Sequence, residues 1–228
     1  MKFYDRSGSE IPISVTSYNP FEGKNFCIIG DSFSQTGNAW HKVMCENLGA
    51  INRYSAAVGG ARWSYNANAT ESHAYYRAQT IVSGGYEADV IMCCLGSNDA
   101  GNSVTMGEIV KSNSIDDFDL STFTGGMQAC LNYLQASFPN AKIFVGWTPA
   151  GANCNFTQAE TAAPYVERMK EVCLMYGVEY IETRACGVTK YSDVYADLWE
   201  AGTGGGHPTV AGHAAIGNYM TDVITAKV

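Results

Sequence analysis

Apolar residues are distributed along this chain in short continuous runs separated by longer helical stripes. Residues 26–29 form one run, which ends at Gly30, and residues 89–95 read Asp-Val-Ile-Met-Cys-Cys-Leu. Residues 141–147 repeat the pattern and residues 178–181 form a shorter version. Runs without polar alternation predict strands buried on both faces, the habit of a parallel sheet. A further strand is expected within residues 51–57. Between the runs the period changes to that of a helix. Phe123, Met127, Leu131, Leu134 and Phe138 share one face of a helix expected over 121–138. Val166, Met169, Cys173 and Tyr176 do so over 164–176, and Ile216, Met220, Val223 and Ile224 over 208–225. Pro164 suits a first helical turn and Gly177 a C-terminal cap. Thr157 with Glu160 is the alternative, a capping box that opens an earlier turn.

Strands alternating with helices imply a parallel sheet covered on both sides, and right-handed crossovers make it doubly wound. The expected fold is therefore a three-layer α/β/α sandwich around about five parallel strands. Residues 1–24 are expected to wrap the domain edge, and residues 25–228 to form one domain. In such folds ligands sit beyond the carboxyl ends of the strands, so chemistry belongs in the connections that follow strands. The polar, irregular stretches 61–72 and 100–120 would rim that end.

Composition narrows the class. A chain of 228 residues with 46% hydrophobic and 16% charged residues has material for a sizeable core and is not disordered. Its 14 basic and 22 acidic residues give a net charge of −8 without a basic cluster, which argues against nucleic acid as a partner. No apolar run approaches the roughly 20 residues of a membrane span. The first six residues are polar with no apolar stretch behind them, so no signal peptide is expected. Of eight cysteines, Cys27, Cys93 and Cys94 lie in strand-like runs, and Cys130 and Cys173 on helical stripes. No Cys-x-x-Cys pair occurs, so these thiols read as small buried hydrophobes. A cytoplasmic, reducing location fits them; secretion after loss of a leader is the alternative.

Four short segments carry candidate chemistry. Gly30-Asp31-Ser32 follows the first strand directly, where a serine hydroxyl is exposed at the sheet edge and a helix N-terminus favours developing negative charge. Val58-Gly59-Gly60-Ala61 lets backbone approach a ligand. Leu95-Gly96-Ser97-Asn98-Asp99 ends the most apolar strand and offers the Asn98 amide. Gly204-Gly205-Gly206-His207-Pro208 opens the last helix, with Pro208 suited to its first position. Each alone reads as ordinary turn or capping chemistry. Together they supply a hydroxyl, a base and three donors: the Ser32 N–H, the Gly60 N–H and the Asn98 side chain. That set suits acyl transfer through a tetrahedral oxyanion.

In order and strand context these segments resemble the SGNH (GDSL-type) hydrolase family, over about 180 residues. The resemblance implies a flavodoxin-like three-layer fold, Ser32 as nucleophile and His207 as base. It also implies an oxyanion hole from Ser32, Gly60 and Asn98, and no metal or cofactor. Members are mostly esterases, lipases and carbohydrate deacetylases. One departure stands out: the family places Asp three residues before the His, and here that position is Gly204. Three explanations are open. A carboxylate from Asp193, Asp197 or Glu200 replaces it, with Asp197 favoured; a backbone carbonyl accepts the His207 Nδ1–H; or the site is dead.

The expected function is a serine esterase that removes small acyl groups, acetyl above all, from a small-molecule or carbohydrate ester. The alternatives are a general short-chain carboxylesterase or lysophospholipase, and a non-catalytic glycan-binding module on a degraded hydrolase fold. A phosphate-loop reading of residues 202–206 fails for want of the Lys-Ser/Thr ending. A flavin reading would rest on Ser32, Ser34 and Thr36 and has only fold analogy behind it. His41, His73 and His213 lack zinc spacing, and His213 is expected to cap or pack. Trp63, Tyr65, Tyr75 and Tyr76 follow Gly60, while Phe33 and Trp40 flank Ser32. They stack on a sugar or cover the core edge; Trp63 and Asp31 are the expected substrate contacts. Nothing in the sequence indicates an oligomeric state.

Overall fold

The computed structural model describes residues 3–4, 7, 9–11, 19–35, 37, 39–149, 156–188, 195–200 and 206–227. Strands β1 (Phe3–Tyr4) and β2 (Glu10–Ile11) pair antiparallel. The main sheet comprises β3 (Asn25–Gly30), β4 (Asn52–Ser55), β5 (Val90–Cys94), β6 (Lys142–Gly146) and β7 (Glu179–Ile181). All its neighbours pair parallel, in the order β4-β3-β5-β6-β7. Strands β4, β5, β6 and β7 lie inside their expected spans, and β3 covers the expected run 26–29 with one more residue at each end.

The unbroken apolar runs reflect burial on both faces. Cys27, Ile29, Ile91, Cys93, Ile143 and Val145 join one core cluster. Phe26, Ile28, Val90, Met92, Cys94 and Phe144 join the other, so successive residues alternate between two cores. Helices α3 (Ala74–Ser83), α5 (Phe123–Ser137) and α6 (Phe156–Tyr176) cover the first. Helices α2 (Trp40–Asn47) and α8 (Val210–Thr225) cover the second. The result is the expected three-layer α/β/α sandwich. Single turns complete it: α1 (Ser32–Gln35), α4 (Ser97–Gly101) and α7 (Tyr195–Leu198).

Three helical expectations are corrected. Pro164 lies inside α6, which begins at Phe156, rather than in a first turn. An internal proline costs roughly 3 kcal/mol. Burial of Val166, Met169, Val172 and Cys173 along the same helix offsets it. Helix α8 begins after Pro208: Thr209 is the cap, its Oγ1 accepting the Gly212 N–H at 3.2 Å, while Pro208 bridges to Trp199. The helix behind Ser32 is one turn only, so the macrodipole expected there is that of a single turn.

The order of the main sheet creates the site. The chain runs outward in one direction from β3 to β4 and in the other from β3 to β5, so the switch point lies between β3 and β5. Gly30 pairs with Cys94 and Cys94 with Gly146, so β3, β5 and β6 end level and their following loops emerge side by side.

Candidate active site

Ser32 is the second residue after β3, at the switch point, and is half-buried. Its Oγ lies 2.8 Å from His207 Nε2 across 175 residues of sequence. His207 is placed by packing and backbone pairing. Its ring centroid is 5.0 Å from that of Phe33, which also packs on Trp199 at 5.9 Å. Its carbonyl accepts the Glu200 N–H at 2.8 Å. Gly206 is required here, because a Cβ would run into the Trp199 indole. An imidazole nitrogen at hydrogen-bond distance from a serine hydroxyl can remove its proton as the oxygen attacks.

The possible oxyanion donors sit on neighbouring loops. Gly59, with Gln35 and Ser32 the nearest side chains, brings the second loop against α1. Gly60 holds φ +73°, a left-handed value that favours glycine. Among the described residues the Ser32 and Gly60 N–H groups donate to no backbone carbonyl. Asn98, on α4, donates from Nδ2 to the Ala61 carbonyl at 3.0 Å. That bond orients the amide and leaves its second N–H.

Two buried carboxylates tie these loops together. Asp31 accepts the Phe33 N–H at 3.0 Å, Thr148 Oγ1 at 2.5 Å and Ser97 Oγ at 3.2 Å. Asp99 accepts the Trp63 and Ser64 N–H groups at 2.9 and 3.1 Å. Burial pushes both carboxyls up to about 6, against the pull of these donors.

The profile of the GDSL-like Lipase/Acylhydrolase family matches residues 28–215. The chain belongs to that family. No curated protein matches it. Among solved structures, this GDSL-like chain is similar to a protein from Lactobacillus plantarum (20% identity, 88% of this chain, 96% of that one, TM-score 0.66). It is also similar to a carbohydrate acetylesterase from Sinorhizobium meliloti (15% identity, 90% and 100% covered, TM-score 0.61). An aryl esterase of M. smegmatis in inhibitor-bound form is a third (13% identity, 90% and 100% covered, TM-score 0.62). At these identities the likeness is one of fold; the profile match makes this GDSL-like protein an ester-bond hydrolase by family.

The structure brings together Ser32 and His207, with Gly60 and Asn98 on adjoining loops. It corrects the two expected substrate contacts of this GDSL-like protein. Asp31 and Trp63 are both 0% exposed, so neither presents surface to a cleft. Asp31 faces inward because its carboxylate joins three loops, and Trp63 because its indole fills the core beside α3 and α5. Asp197 is exposed, and its backbone carbonyl accepts Thr209 Oγ1 at 2.6 Å. Among the described residues no carboxylate forms an ion pair with His207. Asp193 and Gly204 lie outside the described residues. Sequence reasoning missed Ser97 and Thr148 as partners of Asp31, Phe33 as packing for His207, and Trp199 as packing for Phe33. Their one signal was position, directly after strands or beside the motif residues.

Among the described residues no three His, Cys, Asp or Glu side chains gather to hold a metal ion, and no helix is long and apolar enough to cross a membrane. Cys27, Cys45, Cys93, Cys94, Cys130 and Cys173 are free and buried, and burial pushes the Cys27, Cys45 and Cys173 thiols up to about 12. Thiols so raised stay protonated and unreactive.

His213, predicted to cap or pack, packs: it is 5% exposed, and its Nδ1 is buried without a hydrogen-bond partner among the described residues. Burial pushes its imidazole down from 6.5 to about 4, with His207 adding to the effect. Such a histidine folds neutral and protonates more readily when unfolded. Its stabilising contribution is full above about pH 6.5 and is lost as pH falls towards about 4. Asp31 and Asp99 act with the opposite sign, but they remain when His213 is changed. The expected result for His213→Gln is loss of this one contribution, read as the difference between the two pH profiles. Wild-type unfolding free energy should fall more steeply than the variant's on acidification, the difference growing to at most about 3 kcal/mol. Denaturant titrations at several pH values measure this, and parallel curves would refute it.

Proposed function

We propose that this protein is a serine esterase that removes a small acyl group, acetyl first among them, from a carbohydrate. The contact between Ser32 Oγ and His207 Nε2, 2.8 Å at the switch point of the sheet, carries the reading. Ser32 Oγ attacks the acyl carbon while its proton passes to Nε2. The negative charge that develops on the carbonyl oxygen is held by the Ser32 N–H, the Gly60 N–H and the Asn98 amide. Nε2 then protonates the departing alkoxide, leaving an acyl-enzyme. Water attacks that ester with Nε2 again as base, and Ser32 is restored as the acid leaves.

Two features favour a polar acceptor. The loops after β4 and β5 are rich in Asn, Ser, Thr and Gly without a long apolar lid, and the exposed ring of Tyr65 lies on the first of them. Likeness of fold to a carbohydrate acetylesterase agrees with this choice. Initial rates on acetylated sugars, short nitrophenyl esters and lysolipids, with Ser32→Ala as control, test it. Turnover of acetylated sugars should dominate. Preference for aryl or short alkyl esters would make the protein a general carboxylesterase, and glycan binding without turnover would make it a binding module.

The same reading predicts Asn98→Ala. Loss of one oxyanion donor costs about 2.7–4 kcal/mol of transition-state stabilisation, so kcat should fall by about 10²–10³ with little change in KM. An unchanged kcat with a raised KM would make Asn98 a ground-state contact instead.

A further inference from the structure

Helix α1 cannot hold itself together. Its four residues form one turn, too short to be stable without tertiary support. The support comes from elsewhere. Ser34 is fully buried. Its N–H donates to the Asp31 carbonyl at 3.0 Å, and its Oγ accepts the Trp40 Nε1–H at 3.0 Å. Its carbonyl accepts the His41 Nε2–H at 2.8 Å and, more weakly, Ser55 Oγ at 3.4 Å. On the other side of the ring, Arg53 Nη1 lies 2.6 Å from His41 Nδ1. A guanidinium only donates, so Nδ1 is the bare nitrogen and Nε2 carries the proton. Burial keeps the ring neutral by pushing it down to about 4. No step of the acyl-transfer chemistry uses these groups.

Resting on the hydrolase reading, we propose that His41 is a positioning residue for the nucleophile. Locked in one tautomer by Arg53, it holds the Ser34 carbonyl and thereby fixes the turn that presents Ser32 Oγ to His207. His41 is 1% exposed, in the first turn of α2, and has no surface to offer a substrate. Its effect must pass through the turn. Misplacing a reacting group by about 1 Å costs about 10²-fold in rate, so the loss should appear in kcat and not in KM.

His41→Phe keeps a planar ring and removes the donor; His41→Gln returns an amide N–H near the position of Nε2. The expected result for His41→Phe is a kcat lowered by about 10–10²-fold, with KM within about twofold of wild type. Labelling of Ser32 by an organophosphonate should slow in proportion, and His41→Gln should regain most of both rates. In the wild type, ¹⁵N spectra of the ring should show the Nε2–H tautomer, a measurement that needs no variant to fold. A folded His41→Phe with wild-type kcat and labelling overturns the proposal. So does a His41→Gln no better than His41→Phe at equal melting temperature, or an Nδ1–H tautomer in the wild type. A wild type that turns over no ester and takes no label at Ser32 defeats the hydrolase reading itself and this proposal with it. Normal labelling with an indifferent His41→Phe defeats the positioning role alone.

Discussion

Ser32→Ala is expected to lower kcat for ester hydrolysis by about 10⁶ in a protein that still folds, the scale on which a serine hydrolase loses its nucleophile. The chemical loss is large because Ser32 Oγ is the hydroxyl that, among the described residues, lies at His207 Nε2. The structural loss is small. Ser32 is half-buried, and one hydrogen bond contributes about 1 kcal/mol. In a protein of this size that moves the melting temperature by about 2–4 °C. Turnover left above the uncatalysed rate would come from the oxyanion donors and binding. Initial rates and a melting curve on the same preparation measure both, and the mass of an organophosphonate adduct locates the nucleophile. A folded Ser32→Ala with wild-type rates would end the assignment.

His207→Ala should be nearly as damaging, since nucleophile and base act as a unit. The more informative arm concerns what orients the ring where Gly204 replaces the family's Asp. Neither Asp197 nor Glu200 pairs with His207 through its carboxylate; both are exposed, and the Glu200 contact is its N–H on the His207 carbonyl. Asp197→Asn and Glu200→Gln are therefore expected to leave kcat within a few-fold of wild type. Asp193→Asn then decides. A fall of about 10⁴ would make Asp193 the relocated acid, the scale on which a triad loses its carboxylate. Near-neutral rates at all three sites, with His207→Ala inactive, leave a dyad whose Nδ1–H is held by a carbonyl or water. An active His207→Ala removes both versions.

Much of this molecule was legible in order along the chain. The central strand runs announced themselves because strands buried on both faces exclude polar residues, as β5 shows, and the Ser32, Gly60, Asn98 and His207 segments follow strands in turn. Helices α2 and α3 were not read. Helix α3 buries Ala74, Ala78 and Ile81, whose small side chains leave a faint stripe, and α2 buries a histidine among its apolar residues. Pro164 reads as a beginning, yet α6 begins at Phe156, near the earlier turn that Thr157 and Glu160 offered as the alternative, and packing along the whole helix offsets the proline's cost.

Residue type and spacing by themselves determined the layer architecture, the family and the pair of residues with the chemistry of nucleophile and base. Those depend on local pattern, which is written in sequence. The tertiary structure alone decided what faces inward. Asp31 and Trp63 have the composition of substrate contacts, yet both are buried, because β3, β5 and β6 end level and their loops close over Asp31. It alone paired Arg53 with His41 and His41 with Ser34, contacts that join α1, α2 and β4. The direction in which a side chain points depends on what the rest of the chain has already filled, and no local pattern records that.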